Sequence, residues 1–281
     1  MRLSMGLSMG LGAGFSARQR LFLFLSPLLI VLAGCASNQP TGGGARSAEA
    51  NLSARLHTEL GAGYFARGQH AVALQELRIA LAANAAYAPA YSILGLVHAD
   101  LREDLQAETH FKRSLELSPN YSEAHNNFGL FLCRRGRAEE ALLRFESALS
   151  NPLYETPEKA LANAGSCTLE TGDLNRAELY FIRALKRVPN QSAALLGMAE
   201  VHQRLGRWLA ARSVLRQFSG QFSELGNMGP QALWLGVRAE RQLGDREAEA
   251  NYGSLLRRRY PESMQAQWLI SGQYDQTGSL L

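Results

Sequence analysis

The stretch FGLFLCRRGRAEEALLRFESA, residues 128–148, decides the fold of this chain. Gly129 and Ala141 are small, Phe145 is large, and Gly136 separates two segments in which apolar residues recur three and four positions apart. This periodicity is typical of amphipathic helices, and glycine tolerates the positive φ at which one helix ends. The stretch therefore predicts two helices joined by a tight turn, with small residues that allow the helices to approach closely.

Copies of this pattern recur at a nearly constant spacing. The turn position falls at residues 68, 102, 136, 172, 206 and 244, so the spacings are 34, 34, 36, 34 and 38 residues. A helical hairpin with a period of about 34 residues resembles the tetratricopeptide repeat. One hairpin alone would leave its apolar face exposed, so the copies are expected to stack and to form a concave surface.

The predicted fold class is all-α, a right-handed tetratricopeptide-repeat superhelix of about six helix-turn-helix repeats. We assign the repeats, together residues 53–263, to 54–87, 88–121, 122–155, 158–191, 192–225 and 230–263. The two longer spacings place extra residues in the turns around 152–157 and 226–230. Residues 264–281 are predicted to form a short capping helix, 264–270, and a tail that frays from residue 271.

The first 34 residues differ in composition from the rest. They contain Arg2, Arg18 and Arg20 but no Asp, Glu or Lys, and the whole chain has a net charge of +4. Of the 29 basic residues, 26 follow this leader and stand against 25 acidic ones, so the remainder carries a net charge of +1. A nearly neutral body does not predict a basic face for nucleic acid.

An apolar run, residues 21–33, follows Arg20 directly. The run is shorter than the roughly 20 residues that a membrane-spanning helix needs. A charged start, a short apolar core and small residues at its end are typical of a secretory signal peptide. We therefore expect residues 1–34 to be a signal peptide, with translation starting at Met1, Met5 or Met9.

The sequence LAGC, residues 32–35, resembles the lipobox of bacterial lipoproteins. The resemblance implies that Cys35 carries a covalent lipid and is the first residue of the mature protein. Ala36, where a sorting signal for the inner membrane would have Asp, implies the outer membrane, with the protein facing the periplasm. The alternative is an ordinary signal peptide that ends near a cysteine. Residues 35–52 are assigned to the lipidated cysteine and a flexible, glycine-rich tether.

The two other cysteines, Cys133 and Cys167, lie near the ends of the first helices of repeats three and four, two positions apart in register. Adjacent first helices pack side by side, so the two Cβ atoms can approach the roughly 4 Å that a disulfide requires. An even pair in an oxidising compartment predicts a structural disulfide. The alternative is two buried thiols.

No catalytic or metal-binding motif is present in the sequence. Four of the six histidines, His57, His98, His125 and His202, occupy positions at which other copies carry tyrosine, which predicts packing between helices. HExxH, P-loop and GxSxG motifs are all missing from the sequence. We therefore expect no enzymatic activity, no metal, and no cofactor besides the lipid on Cys35.

Repeats of this kind commonly bind a segment of another protein in the concave groove formed by their first helices. The residues that the repeat register places on this groove are mostly apolar, which suits the Leu or Phe anchors of a partner segment. For any one of them, the alternative is packing between hairpins. The predicted groove residues are Thr58, Ala62, Phe65, Ser92, Leu96, Ala99, Asn126 and Leu130.

Four strings resemble one family more closely than the general repeat does. They are HNNFGLFLC at 125–133, PLYETP at 152–157, NAGSC at 163–167 and LWLG at 233–236. Together with the lipobox they resemble the PilF/PilW family of type IV pilus biogenesis lipoproteins, over about residues 53–263. The first two strings are the more specific, because the repeat itself does not require them.

This resemblance implies an outer-membrane pilotin, which helps the secretin subunit (PilQ) to reach the outer membrane and to assemble into its multimeric pore. The groove would then hold an apolar segment of the secretin monomer, and no small-molecule substrate or nucleic acid is expected. Two other functions stay open at this point. One is a periplasmic scaffold for envelope or cell-wall assembly enzymes, and the other is a component of outer-membrane β-barrel assembly.

Overall fold

The computed structural model describes residues 42–223 and 225–278, which are helical and contain no strand. The predicted all-α class is therefore confirmed. The chain divides into two units, Met1–Ser47 and Ala48–Leu281. In the first unit the described residues, 42–47, are the beginning of helix α1.

The described helices run in six consecutive pairs, followed by one short helix. They are α1 (Gly42–Phe65), α2 (His70–Ala83), α3 (Ala88–Asp100), α4 (Asp104–Leu117), α5 (Ser122–Arg134), α6 (Ala138–Ser150), α7 (Pro157–Glu170), α8 (Leu174–Arg187), α9 (Ser192–Arg204), α10 (Trp208–Ser219), α11 (Pro230–Leu243), α12 (Arg246–Arg259) and α13 (Met264–Ser271). A 3₁₀ turn, Leu225–Asn227, lies in the longer connection before α11.

The turn inside each hairpin is the one that the sequence predicts. The glycines at the turn positions, Gly68, Gly136, Gly172, Gly206 and Gly244, have φ between 70° and 86°. In the second repeat the same conformation is taken by Arg102, at φ 63°. These residues therefore mark the same point in every repeat and fix its register.

A small residue on the first helix of a repeat faces a large side chain on the second helix. A Cβ placed on Gly95 would lie 2.7 Å from Phe111, and one on Gly165 would lie 2.6 Å from Phe181. Real Cβ atoms essentially never make contacts this short, so any side chain at these positions would force the aromatic ring to shift. The aromatic rings fill this space and are fully buried.

The hydrophobic core extends from hairpin to hairpin. Phe111 of the second repeat stacks on Phe128 of the third, with ring centroids 5.3 Å apart. A cluster around Trp234 continues the core through the last repeat to α13. The repeats therefore stack into a superhelix, as predicted, because each apolar face is covered by its neighbour.

The structure corrects the predicted start of the first repeat. The tether was assigned to residues 35–52, but α1 already begins at Gly42. Residues 45–52, ARSAEANL, are rich in alanine and other good helix formers, so they extend the helix toward the N-terminus. The signal peptide, Cys35 and the rest of the tether lie outside the described residues.

The end of the chain agrees with the prediction only in part. Helix α13 is present, as expected. The prediction that the tail frays from residue 271 is wrong for residues 272–278. The indole Nε1 of Trp234 donates a hydrogen bond to the carbonyl oxygen of Gln276 at 3.0 Å, and Tyr274 stacks on the same indole.

Replacement of Gly129 by alanine tests the close contact inside a hairpin. A Cβ on Gly129 would lie 2.7 Å from Cε1 of Phe145, so we expect Gly129→Ala to lower the free energy of unfolding by about 1–3 kcal/mol. Gly63→Ala is the matched control, because its nearest neighbour is the end of the Arg67 side chain at 3.8 Å. The control should be neutral or stabilising by up to about 1 kcal/mol. Equal effects in urea denaturation would contradict the account.

Candidate functional site: the groove of the first four repeats

The first helices of repeats one to four enclose a groove with a volume of about 950 Å³. Its apolar lining comes from α1, α3 and α5 and consists of Phe65, Leu96, Ala99, Leu130 and Phe131. Polar and charged lining residues are Asp100, Arg102, Asn127, Arg134, Arg135 and Glu170. The groove can therefore accept apolar side chains on its floor and polar backbone or side-chain groups at its rim.

The repeat register brings the apolar residues together. Phe65 and Ala99 each lie three residues before the turn residue of their hairpin, and Leu96 and Leu130 each lie six residues before it. Equivalent positions on stacked helices face the same side. Four of the eight predicted residues thus line the groove, and their contact with a partner stays a prediction.

Three of the predicted residues do not lie in the groove, contrary to the sequence prediction. Ser92 and Asn126 are buried, and each accepts a hydrogen bond from the next first helix, from Asn127 at 3.2 Å and from Asn163 at 2.9 Å. Thr58 is also buried and donates to the carbonyl oxygen of Ala54.

The physical reason is the stacking of the repeats. At this register position, ten residues before the turn residue, Ser92 and Asn126 bond the following first helix, whereas the buried Thr58 bonds within α1. Ala62, the eighth predicted residue, is half-buried and does not contribute to the lining.

One arginine at the rim connects two repeats. Arg135 donates to both carboxylate oxygens of Asp104, at 2.8 and 2.6 Å, and to the carbonyl oxygen of Ala99 at 2.9 Å. Its hydrogen bonds hold the pKa of the Asp104 carboxyl below its usual value. The guanidinium also lies 5.3 Å from the ring centroid of Phe131. Arg135 thus supports the apolar floor and keeps its charge paired.

A disulfide lies beside the groove floor. The Sγ atoms of Cys133 and Cys167 are 2.04 Å apart, and the bond joins α5 to α7 across 34 residues of sequence. Cys133 itself contributes to the groove lining. The bond links the third and fourth repeats across the lengthened turn between them.

Four of the six histidines, His57, His70, His98 and His125, lie within hydrogen-bond distance of a partner in the fold. Nδ1 of His57 lies 2.6 Å from a carboxylate oxygen of Glu76, and Nε2 of His125 donates to the carbonyl oxygen of Pro119 at 2.8 Å. Burial lowers the pKa of His125 and of His202, which favours their neutral forms. Within residues 42–223 and 225–278 no group of three or more His, Cys, Asp or Glu side chains is arranged to hold a metal ion.

Comparisons with known proteins agree with this architecture. Two models of the tetratricopeptide repeat match the chain, one at residues 58–122 and 168–224 and the other at 110–142. The type IV pilus assembly protein PilF of Pseudomonas aeruginosa is 29% identical over 180 residues, which are 64% of this chain and 70% of PilF.

Two solved structures share the fold of this chain. The structure of Pseudomonas aeruginosa PilF matches 80% of this chain and 99% of its own, with a TM-score of 0.68 and 27% identity. That of PilW, a widely conserved type IV pilus biogenesis factor, matches 77% of this chain and 98% of its own, with a TM-score of 0.68 and 25% identity. The chain is a PilF/PilW-like tetratricopeptide-repeat protein of type IV pilus biogenesis.

The sequence-based prediction of the groove in this PilF/PilW-type protein was incomplete. Phe131 was not predicted, because it lies one residue beyond Leu130 and is therefore not at a repeat position that the prediction assigned to the groove. Arg135 and Asp104 were missed because their pairing connects different repeats. Their sequence signal is an arginine directly before the turn glycine and an acidic residue two positions after the preceding turn.

No helix in the described part of the chain is long and apolar enough to cross a membrane.

Removal of the disulfide should destabilise the groove. The bond closes a loop of 34 residues, so we expect the double substitution Cys133→Ala, Cys167→Ala to lower the free energy of unfolding by about 2–4 kcal/mol. The measurement is urea denaturation with and without dithiothreitol. Reductant should destabilise the unsubstituted chain to the same level and leave the double variant unchanged. A reductant effect of equal size in both proteins would contradict a role for this bond.

Proposed function

We propose that this PilF/PilW-type protein is an outer-membrane pilotin for type IV pilus biogenesis. In this proposal the lipid on Cys35 holds the protein at the outer membrane, facing the periplasm. The groove of the first four repeats binds an apolar segment of the secretin subunit, PilQ. Binding directs the subunit to the outer membrane and promotes its assembly into the multimeric pore.

The observation that carries the proposal is the apolar floor of the groove. Leu96, Ala99 and Leu130 lie on neighbouring first helices and line the same groove, together with Phe65 of α1. These residues are only half-buried, so part of their surface is open to solvent. An extended or helical segment with apolar anchors would cover this surface and gain about 25 cal/mol for each Å² removed from water.

The mechanism requires binding alone. A secretin monomer that exposes apolar segments in the periplasm is prone to aggregate, and the groove would shield one such segment. Proteins with tetratricopeptide repeats and pilus biogenesis factors generally act through binding. The proposed work of the protein is therefore to hold, locate and release its partner, with no bond made or broken.

The groove is tested in a strain from which the gene has been deleted. We expect deletion to remove the high-mass secretin band on an unboiled gel together with twitching motility. The unsubstituted gene should restore both, and Leu130→Glu should not, because a carboxylate on the apolar floor opposes binding of an apolar anchor. Leu143→Glu is the control, since Leu143 is 65% exposed on α6, outside the groove lining.

The outcomes of this experiment separate the alternatives. Secretin multimers that persist after deletion would overturn the pilotin proposal and favour a scaffold for other envelope enzymes. Loss of many different outer-membrane barrels would indicate a role in barrel assembly. Equal activity of the Leu130 and Leu143 variants would exclude this groove as the binding site.

The lipid anchor is tested by Cys35→Ser. We expect this variant to fold normally, to lose its outer-membrane fractionation, and to restore fewer secretin multimers. Several acyl chains, each worth about 0.8 kcal/mol per buried CH₂, would supply the anchoring that is lost. Circular dichroism of the purified protein is the control for folding. Undiminished multimers with Cys35→Ser would show that the lipid is not needed for the function.

A further inference from the structure

The segment that follows α13 lies on the inner face of the last repeat. Residues 272–278, which we call the C-terminal strap, leave α13 at Gly272 and return across α11. The Trp234 indole, fully buried, donates to the carbonyl oxygen of Gln276 at 3.0 Å. The Tyr274 ring stacks on this indole, with centroids 5.9 Å apart and planes 17° apart.

The strap occupies the continuation of the groove. Trp234, Arg238 and Arg241 lie ten, six and three residues before the turn residue Gly244. In the earlier repeats the positions six and three residues before the turn are those of the groove floor, among them Leu130 and Phe65. Through Arg241 the strap therefore reaches the groove side of the sixth repeat, and through Trp234 it covers the position that a following first helix covers in the earlier repeats.

The contacts select an aromatic side chain. The guanidinium of Arg241 donates from its edge to Glu249 at 2.9 Å, while its Cζ lies 3.8 Å from the ring centroid of Tyr274. The charge of Arg241 is thus paired, and its face is left for a ring, which lies between this cation and the Trp234 indole. A carboxylate would gain less here, because Glu249 already pairs with the Arg241 guanidinium.

The site also forms a hydrogen bond with the backbone of the segment. The indole of Trp234 donates to a carbonyl oxygen two residues after the aromatic side chain, at the end of a turn in which the backbone N–H of Gln276 donates to the carbonyl oxygen of Gln273 at 3.4 Å. A cavity of about 460 Å³ lies beside Tyr274, and its walls include Trp208, Arg238 and Gln242. The strap leaves this space open, so the site can accept a segment with larger side chains after the aromatic residue.

We propose that the inner face of repeats five and six is a second peptide-binding site, which takes a segment that turns at an aromatic residue. The strap holds this site in cis, with Tyr274 as the resident aromatic residue, until a partner segment displaces it. A short intramolecular segment acts at an effective concentration in the millimolar range, so a free segment competes poorly unless its own contacts are better. This inference does not depend on the pilotin role.

The test uses the full-length chain and a fluorescent peptide of sequence GQYDQTG, the strap itself, in an anisotropy titration up to about 1 mM. We expect the Tyr274→Ala variant to bind this peptide saturably and at least tenfold more tightly than the unsubstituted chain does. The same peptide with alanine in place of tyrosine should not bind. Circular dichroism establishes that the variant is folded.

Two further variants serve as controls. Tyr274→Phe keeps the ring, and Gln273→Ala changes an exposed side chain next to it. Both variants should bind the peptide as weakly as the unsubstituted chain does. The proposal is overturned if the Tyr274→Ala chain fails to bind the tyrosine peptide or binds the tyrosine and alanine peptides equally. It is also overturned if the Gln273→Ala chain binds the tyrosine peptide as tightly as the Tyr274→Ala chain does.

Discussion

The fold depends on one contact that is repeated in successive hairpins, the approach of a backbone glycine to a large side chain. In repeats two to four the pairs are Gly95 with Phe111, Gly129 with Phe145 and Gly165 with Phe181, and each leaves no room for a Cβ. The sixth repeat forms the same contact with Gly236 and Tyr252. Because this contact sets the distance between the two helices of a hairpin, it also sets the spacing of the first helices that form the groove.

Links between hairpins then make the groove one surface. The Arg135 guanidinium bonds Asp104 and Ala99, and the disulfide of Cys133 joins the third repeat to the fourth. Salt bridges on the other side of the hairpins recur at a separation of 29 residues, from Arg137 to Glu108 and from Arg207 to Glu178. Exposed pairs of this kind contribute little each, so the apolar stacking carries most of the stability and the polar links fix the relative positions of the repeats.

The sequence predicts the features that depend on local spacing and misses those that depend on neighbours in space. Turn glycines such as Gly136 and the helices around them follow from the 34-residue period. Burial of Ser92 and Asn126 does not, because the next first helix covers the positions that the register of a single repeat assigned to the groove. The strap was predicted to fray because it is terminal. Instead, Tyr274 packs against Trp234 and Arg241, which lie more than thirty residues earlier in the chain.

The central claim is that an apolar segment of the secretin subunit lies in the groove of the first four repeats. The most direct test places a photo-crosslinking amino acid at Leu96 in living cells and, as a control, at Leu105, which is 80% exposed on α4. The account predicts a covalent product with the secretin subunit from position 96 and none from position 105, with the linked peptide rich in Leu or Phe. Crosslinking to the secretin from position 105 alone, or to another protein from position 96, would contradict it.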